Sequence, residues 1–160
     1  MLPHHDASPA ESSAYAPTFA RVGLLMYVLL ISYASLYPFS NWRDIGLPFW
    51  GYLLAPLPHY WTMFDAVTNV IAYLPFGALV VFALYPAVHR LPAALLAVLA
   101  GTLLSGTMEA LQTFLPNRVS SNLDLLTNIG GTCLGALAGV LLSPTFLERS
   151  RLLQLRRQWL

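Results

Sequence analysis

Four stretches of the chain, 22–39, 66–88, 91–108 and 125–147, contain no acidic or basic residue and are rich in Leu, Ala and Val. Each approaches or exceeds the roughly 20 residues that a helix needs to cross a hydrocarbon core. A chain in lipid must satisfy its backbone internally, so such stretches predict helices and little else. Only 9% of the residues are charged, against roughly 25% in soluble domains, which excludes an ordinary soluble globule. The predicted fold is an all-α membrane protein, a four-transmembrane-helix bundle with spans at about 20–39, 65–88, 91–115 and 124–147 in a domain covering 19–147. Residues 1–18 lack helical periodicity and read as a disordered lead-in, and 148–160 as a basic tail.

Orientation follows from the arginines, because basic loops are retained on the cytoplasmic side. The chain has no lysine. Arg21, Arg90, Arg149, Arg151, Arg156 and Arg157 fall on the side of the termini, and only Arg43 and Arg118 fall on the other. Both termini are therefore expected in the cytoplasm. A cleaved signal peptide is the competing reading of the first span, since Ser32 and Ala34 resemble a small-x-small cleavage site, but only Arg21 borders it as a basic region. With a net charge of +1 and one short basic cluster, nucleic-acid binding has no support. The single cysteine, Cys133, lies in the fourth stretch and has no partner for an intrachain disulfide. The connection 40–64 carries Trp42, Trp50 and Trp61 and is broken by Pro48, Pro56 and Pro58. Its apolar part, Leu47–Leu57, reads as an interfacial or shallow re-entrant segment within an aromatic belt.

The pattern D-x-x-T-N-[VI] occurs twice, as Asp65–Val70 opening the second span and Asp124–Ile129 opening the fourth, each followed by Gly-Ala-Leu. This predicts a duplicated helical hairpin whose halves are related by an axis along the membrane normal. Small residues indicate how the helices meet. Ala93, Ala97, Gly101 and Ser105 recur at i+4 in the third span and end at Glu109, while Thr127, Gly131, Gly135 and Gly139 do the same in the fourth. Such strips let backbones approach closely. Antiparallel packing of the two brings Glu109 toward Asp124 and Asn128. Asp65 and Asn69 share a face at the outer end of the second span, with Pro75 a kink further in, and Gln112 shares a face with Glu109.

Asp65, Asn69, Glu109, Gln112, Arg118, Asp124 and Asn128 are thus expected together at the extracytoplasmic end. Ionisable residues inside a span are functional candidates by default. A buried acid beside an ionised one is a general acid/base arrangement, which gives Glu109 the acid/base role with Asp65 and Asp124 as partners. Arg118 is suited to clamp a phosphate, and Asn69, Gln112 and Asn128 complete a hydrogen-bonding shell. The alternative is purely structural: Asp65 and Asp124 cap their helices and favour the dipole, and Arg118 pairs with Glu109. Ser105 and Ser120 have no nearby histidine to activate them, so the balance leans against an enzyme. Without a ligand-spacing signature, neither a metal nor a cofactor is expected.

The ordered set of D-x-x-x-N, Leu74-Pro75-Phe76-Gly77, the E-x-x-Q of Glu109 to Gln112, Arg118 followed by Asp124, and the N-x-G-x-x-x-G from Asn128 resembles the VanZ family. The resemblance covers roughly 36–142 and places the family's motif positions on those seven polar residues. It implies a small multi-pass bacterial inner-membrane protein, of a family whose naming member is associated with low-level resistance to the glycopeptide teicoplanin. Expected partners are membrane lipids, with a lipid-linked cell-wall precursor or another membrane protein as the specific one. The alternative function is a non-catalytic accessory subunit of a larger membrane complex.

A reporter fused after Leu160 is expected to behave as cytoplasmic, and Asn117→Cys in a Cys133→Ala background is expected to react with a membrane-impermeant thiol reagent added from outside. The opposite labelling would invert the topology.

Overall fold

A computed structural model of the chain describes residues 9–143, with side chains from residue 18 onward. Five helices occupy it: α1 (Pro9–Leu36), α2 (Gly51–Leu54), α3 (Met63–Leu84), α4 (Arg90–Gln112) and α5 (Asn122–Ser143). Among the described residues every regular element is helical, and four segments are long and apolar enough to span a membrane: Thr18–Leu36, Met63–Leu84, Arg90–Gln112 and Asn122–Ser143. At a rise of about 1.5 Å per residue, the 22 residues of α3 reach about 33 Å, matching a hydrocarbon core of about 30 Å. Leu25 and Leu29 on α1, Ile71 on α3, Leu99 and Leu103 on α4, and Leu137 and Leu141 on α5 are all exposed. Lipid can cover such faces, whereas water would make them a large unprotected apolar surface.

The chain explains the helix limits. α3 stops at Leu84 because Tyr85 precedes Pro86 and is held extended, with φ −68° and ψ 142°, as a residue before proline must be. That is shorter than the span expected to 88. Pro92 sits in the first turn of α4, where a missing N–H costs nothing. α1 begins at Pro9, within the 1–18 segment read from the sequence as a lead-in. Residues 1–8, the end of the fourth expected span and the basic tail at 148–160 lie outside the described residues.

The tightest contact is backbone on backbone, between α3 and α5. A Cβ added at Gly131 would collide with the Val70 carbonyl, one at Gly135 with the Leu74 carbonyl, and one at Gly139 would come within 3.1 Å of Ala78 Cα. On the facing side, a Cβ at Gly77 would collide with the Thr132 carbonyl. The contacts advance together along both helices, so α3 and α5 run parallel and the two D-x-x-T-N starts lie at the same end. α4 crosses α5 antiparallel, Gly101 leaving room for the Thr132 side chain and Ser105 meeting Asn128. Ala93, Ala97 and Ser105, the small-residue strip of α4, are fully buried.

α1 packs Ile31 and Leu36 into the core and is tied on by side chains that seek backbone carbonyls. Arg21 Nε donates to Ala83 O at 3.2 Å, and Tyr27 Oη to Ala72 O at 2.8 Å. The expected interfacial segment around Leu47–Leu57 contains α2, which leans on α4. Tyr52 Oη donates to Gly106 O at 3.0 Å, and burial, followed by the nearby charge of Glu109, raises its phenol above the ordinary value.

Gly135→Ala should destabilise the bundle by about 1–3 kcal/mol, the cost of overpacking a tight contact, and lower the melting temperature in dodecyl maltoside. Gly130→Ala, which meets nothing within 4 Å, should be neutral or stabilising. Equal effects at the two positions would contradict the close α3–α5 contact.

Candidate functional site

The site begins with how α5 starts. Ser121 caps the helix, its Oγ accepting from Asp124 N at 3.3 Å. The N–H of Ser121 itself is taken by another helix: it donates to Glu109 Oε2 at 2.7 Å. Glu109 is only 3% exposed, so a carboxylate near the end of α4 serves as a backbone acceptor at the N-terminus of α5. In a usual capping box that N–H goes to an acid three residues on. At α5, Glu109 has displaced Asp124 from that duty. The displaced Asp124 carboxyl lies beside the Asn69 amide and near Glu109.

At α3 the arrangement differs. Thr62 Oγ1 accepts from Asp65 N at 3.0 Å and donates to Asp65 Oδ2 at 2.6 Å. Asp65 is exposed and engaged in its own cap. The two matching asparagines also part company. Asn69 Nδ2 donates to Thr127 Oγ1 at 3.3 Å across the α3–α5 contact. Asn128 Nδ2 donates to Ser105 Oγ on α4 at 2.9 Å.

Between α1 and the polar ends of α3, α4 and α5 lies a cavity of about 670 Å³. Asn69, Glu109, Gln112, Arg118, Asp124 and Asn128 all line it, so six of the seven expected residues converge there. Asp65 does not belong to the lining. α1 supplies the opposite wall with Tyr27, Ile31 and Ser35, which sequence reasoning did not assign to the site. Gln112 Nε2 donates to Ser35 O at 3.0 Å, holding that wall in place. Asn128 is 6% exposed, and its Oδ1 is buried without a hydrogen-bond partner. Rotating the amide would only exchange which end is unpaired.

Two structural expectations need correction. Arg118 does not pair with Glu109: its Nη2 donates to Ala34 O at 2.9 Å and Tyr37 O at 3.3 Å. Those carbonyls close α1, where a cation is favoured by the helix dipole and by orphan acceptors. Glu109 instead accepts the backbone N–H of Ser121 on one oxygen. Nor are Asp65 and Asp124 the caps; Thr62 and Ser121 are, with each Asp three residues later. The signal was available as Thr62-x-x-Asp65 and Ser121-x-x-Asp124, the spacing of a capping box with Asp as its acid. Tyr73, buried beside Ser105 and Glu109, was also missed, because it falls in a continuous apolar run where no periodicity marks it.

The arrangement can accept hydrogen bonds from a ligand through Glu109 and Asp124, and can donate to one through Arg118. Among the described residues, no three His, Cys, Asp or Glu side chains gather into a metal-binding group. Ser105 is engaged by Asn128, and Ser120 Oγ is paired with Thr113 Oγ1 at 2.8 Å. His59 and His89 are exposed.

Four apolar helices around a cavity walled by acids and amides define a multi-pass membrane protein with a polar site at one end of the bundle. The chain belongs to the VanZ/LLP1 family, whose model matches residues 12–143. No curated protein and no solved structure matches it.

Glu109→Ala should leave the Ser121 N–H without an acceptor and cost about 1–3 kcal/mol, whereas Glu109→Gln retains an oxygen there and should melt close to the parent. Thermal unfolding in dodecyl maltoside distinguishes them, and equal losses would mean that the charge, not the bond, holds α5.

Proposed function

We propose that the cavity is an extracytoplasmic site in the bacterial inner membrane that binds the polar headgroup of an envelope lipid or lipid-linked cell-wall precursor, and that this underlies a contribution to teicoplanin resistance. The observation that carries the reading is the cavity of about 670 Å³ lined by the carboxyls of Glu109 and Asp124, beside which Asn128 Oδ1 is buried without a hydrogen-bond partner. A cluster serving only to pack helices would be closed, with its polar atoms satisfied. Here Glu109 and Asp124 face space and have no ion pair with Arg118. Hydroxyl or amine donors on a headgroup complement these acceptors, and the same two acids are the groups to take up a proton from it.

The side of the membrane rests on the arginine distribution, which puts the α3 and α5 N-termini outside. The link to glycopeptides rests on the family.

Glu109→Gln and Asp124→Asn should insert and accumulate like the parent, yet remove any rise in teicoplanin tolerance that the parent confers on a susceptible host. Minimum inhibitory concentration, read beside membrane abundance, is the measurement. Full tolerance in both variants would overturn the site.

A further inference from the structure

The polar cavity does not stand alone. A second hollow of about 430 Å³ lies under the segment around α2, walled by Ile45, Leu47, Pro48 and Ala55. Arg118 and Val119 line both this hollow and the polar cavity. Both residues come from the short loop between α4 and α5, and Val119 is 85% exposed. On the far side of Tyr52 a third hollow of about 440 Å³ continues along α4 between Phe49, Trp50, Leu53 and Leu103. Tyr52 lines both apolar hollows. The sequence along this path runs from acids and amides, through one arginine, to aliphatic and aromatic walls.

That order matches an amphiphile. Resting on the headgroup reading above, we infer that the hollow under α2 takes the hydrocarbon chain of a phosphate-bearing amphiphile, with Arg118 holding the phosphate where the hollow meets the polar cavity. Nη2 of Arg118 is committed to the α1 carbonyls, and no acid pairs with the guanidinium among the described residues. Its remaining N–H groups are available in the fork geometry that suits a phosphate. A phosphate there places whatever it carries toward Glu109 and Asp124. The hydrocarbon chain lies against Ile45, Leu47, Pro48 and Ala55, in a hollow whose lining also includes Thr113 and Ser120. An anion without a chain would leave the hollow unfilled, and a chain without an anion would leave Arg118 unmatched.

The full chain in dodecyl maltoside, whose headgroup is uncharged, can be titrated with dodecyl phosphate, dodecanol and inorganic phosphate, read by native mass spectrometry and thermal stabilisation. Dodecyl phosphate should bind about tenfold or more tighter than either fragment. Ala55→Trp, which fills the hollow, should abolish that advantage over inorganic phosphate. Leu54→Trp, at a position 84% exposed and outside the hollow's walls, should not. Arg118→Gln should reduce dodecyl phosphate to the level of dodecanol, and Arg118→Lys should restore part of the difference if Arg118→Gln loosens α1. Equal binding of dodecyl phosphate and dodecanol, or indifference to Ala55→Trp, would overturn the inference. If that happens while Glu109→Gln still removes tolerance, the headgroup site survives and only the chain and phosphate assignments fall. Loss of both removes the site as well.

Discussion

Backbone contact between α3 and α5 is the constraint on which the rest of the structure depends. Where Gly131 and Gly135 face the carbonyls of Val70 and Leu74, no side chain fits between the helices. Lipid supplies no hydrophobic drive for helices to associate, so van der Waals contact over such faces must hold them. The register is fixed by the positions of the glycines, and it sets the N-termini of α3 and α5 side by side. Every polar group of the candidate site is placed relative to that pair.

α4 then reads the other side of α5 in steps of one turn. Gly101 accommodates Thr132, Ser105 bonds Asn128, and Glu109 reaches the N–H of Ser121. Contact by contact the chemistry passes from steric fit to neutral hydrogen bond to carboxylate, moving from the middle of the bundle to its end. Because Glu109 takes over a backbone bond that an acid of α5 could have made, Asp124 is released to the cavity. The matching acid of α3, Asp65, has no such competitor and stays in its cap. One helix crossing thus leaves the acid three residues after a cap free for the site.

α1 is bound differently, and its role differs accordingly. Its ties to the bundle include Arg21 and Tyr27 donating to α3 carbonyls, and Gln112 and Arg118 donating to its own. Side-chain donors spanning a gap leave space between helices that glycine contacts would abolish. The cavity lies in that space.

Much of this was legible in the sequence. Long uncharged runs determine helices in lipid because no other backbone arrangement satisfies itself there. The i+4 strips from Ala93 to Glu109 and from Thr127 to Gly139 determine which faces meet, and hence that Glu109 approaches Asp124 and Asn128. Even the Thr62 and Ser121 caps were written in a local pattern. Tertiary structure alone decided the partners. Whether Glu109 would meet a guanidinium or a backbone N–H, whether Arg118 would serve the site or the end of α1, and whether Asp65 would face the cavity all depend on distances between residues far apart in the chain. Periodicity specifies a face of a helix, but a hydrogen bond needs its two atoms within about 3 Å, and that precision arises only when the helices have packed.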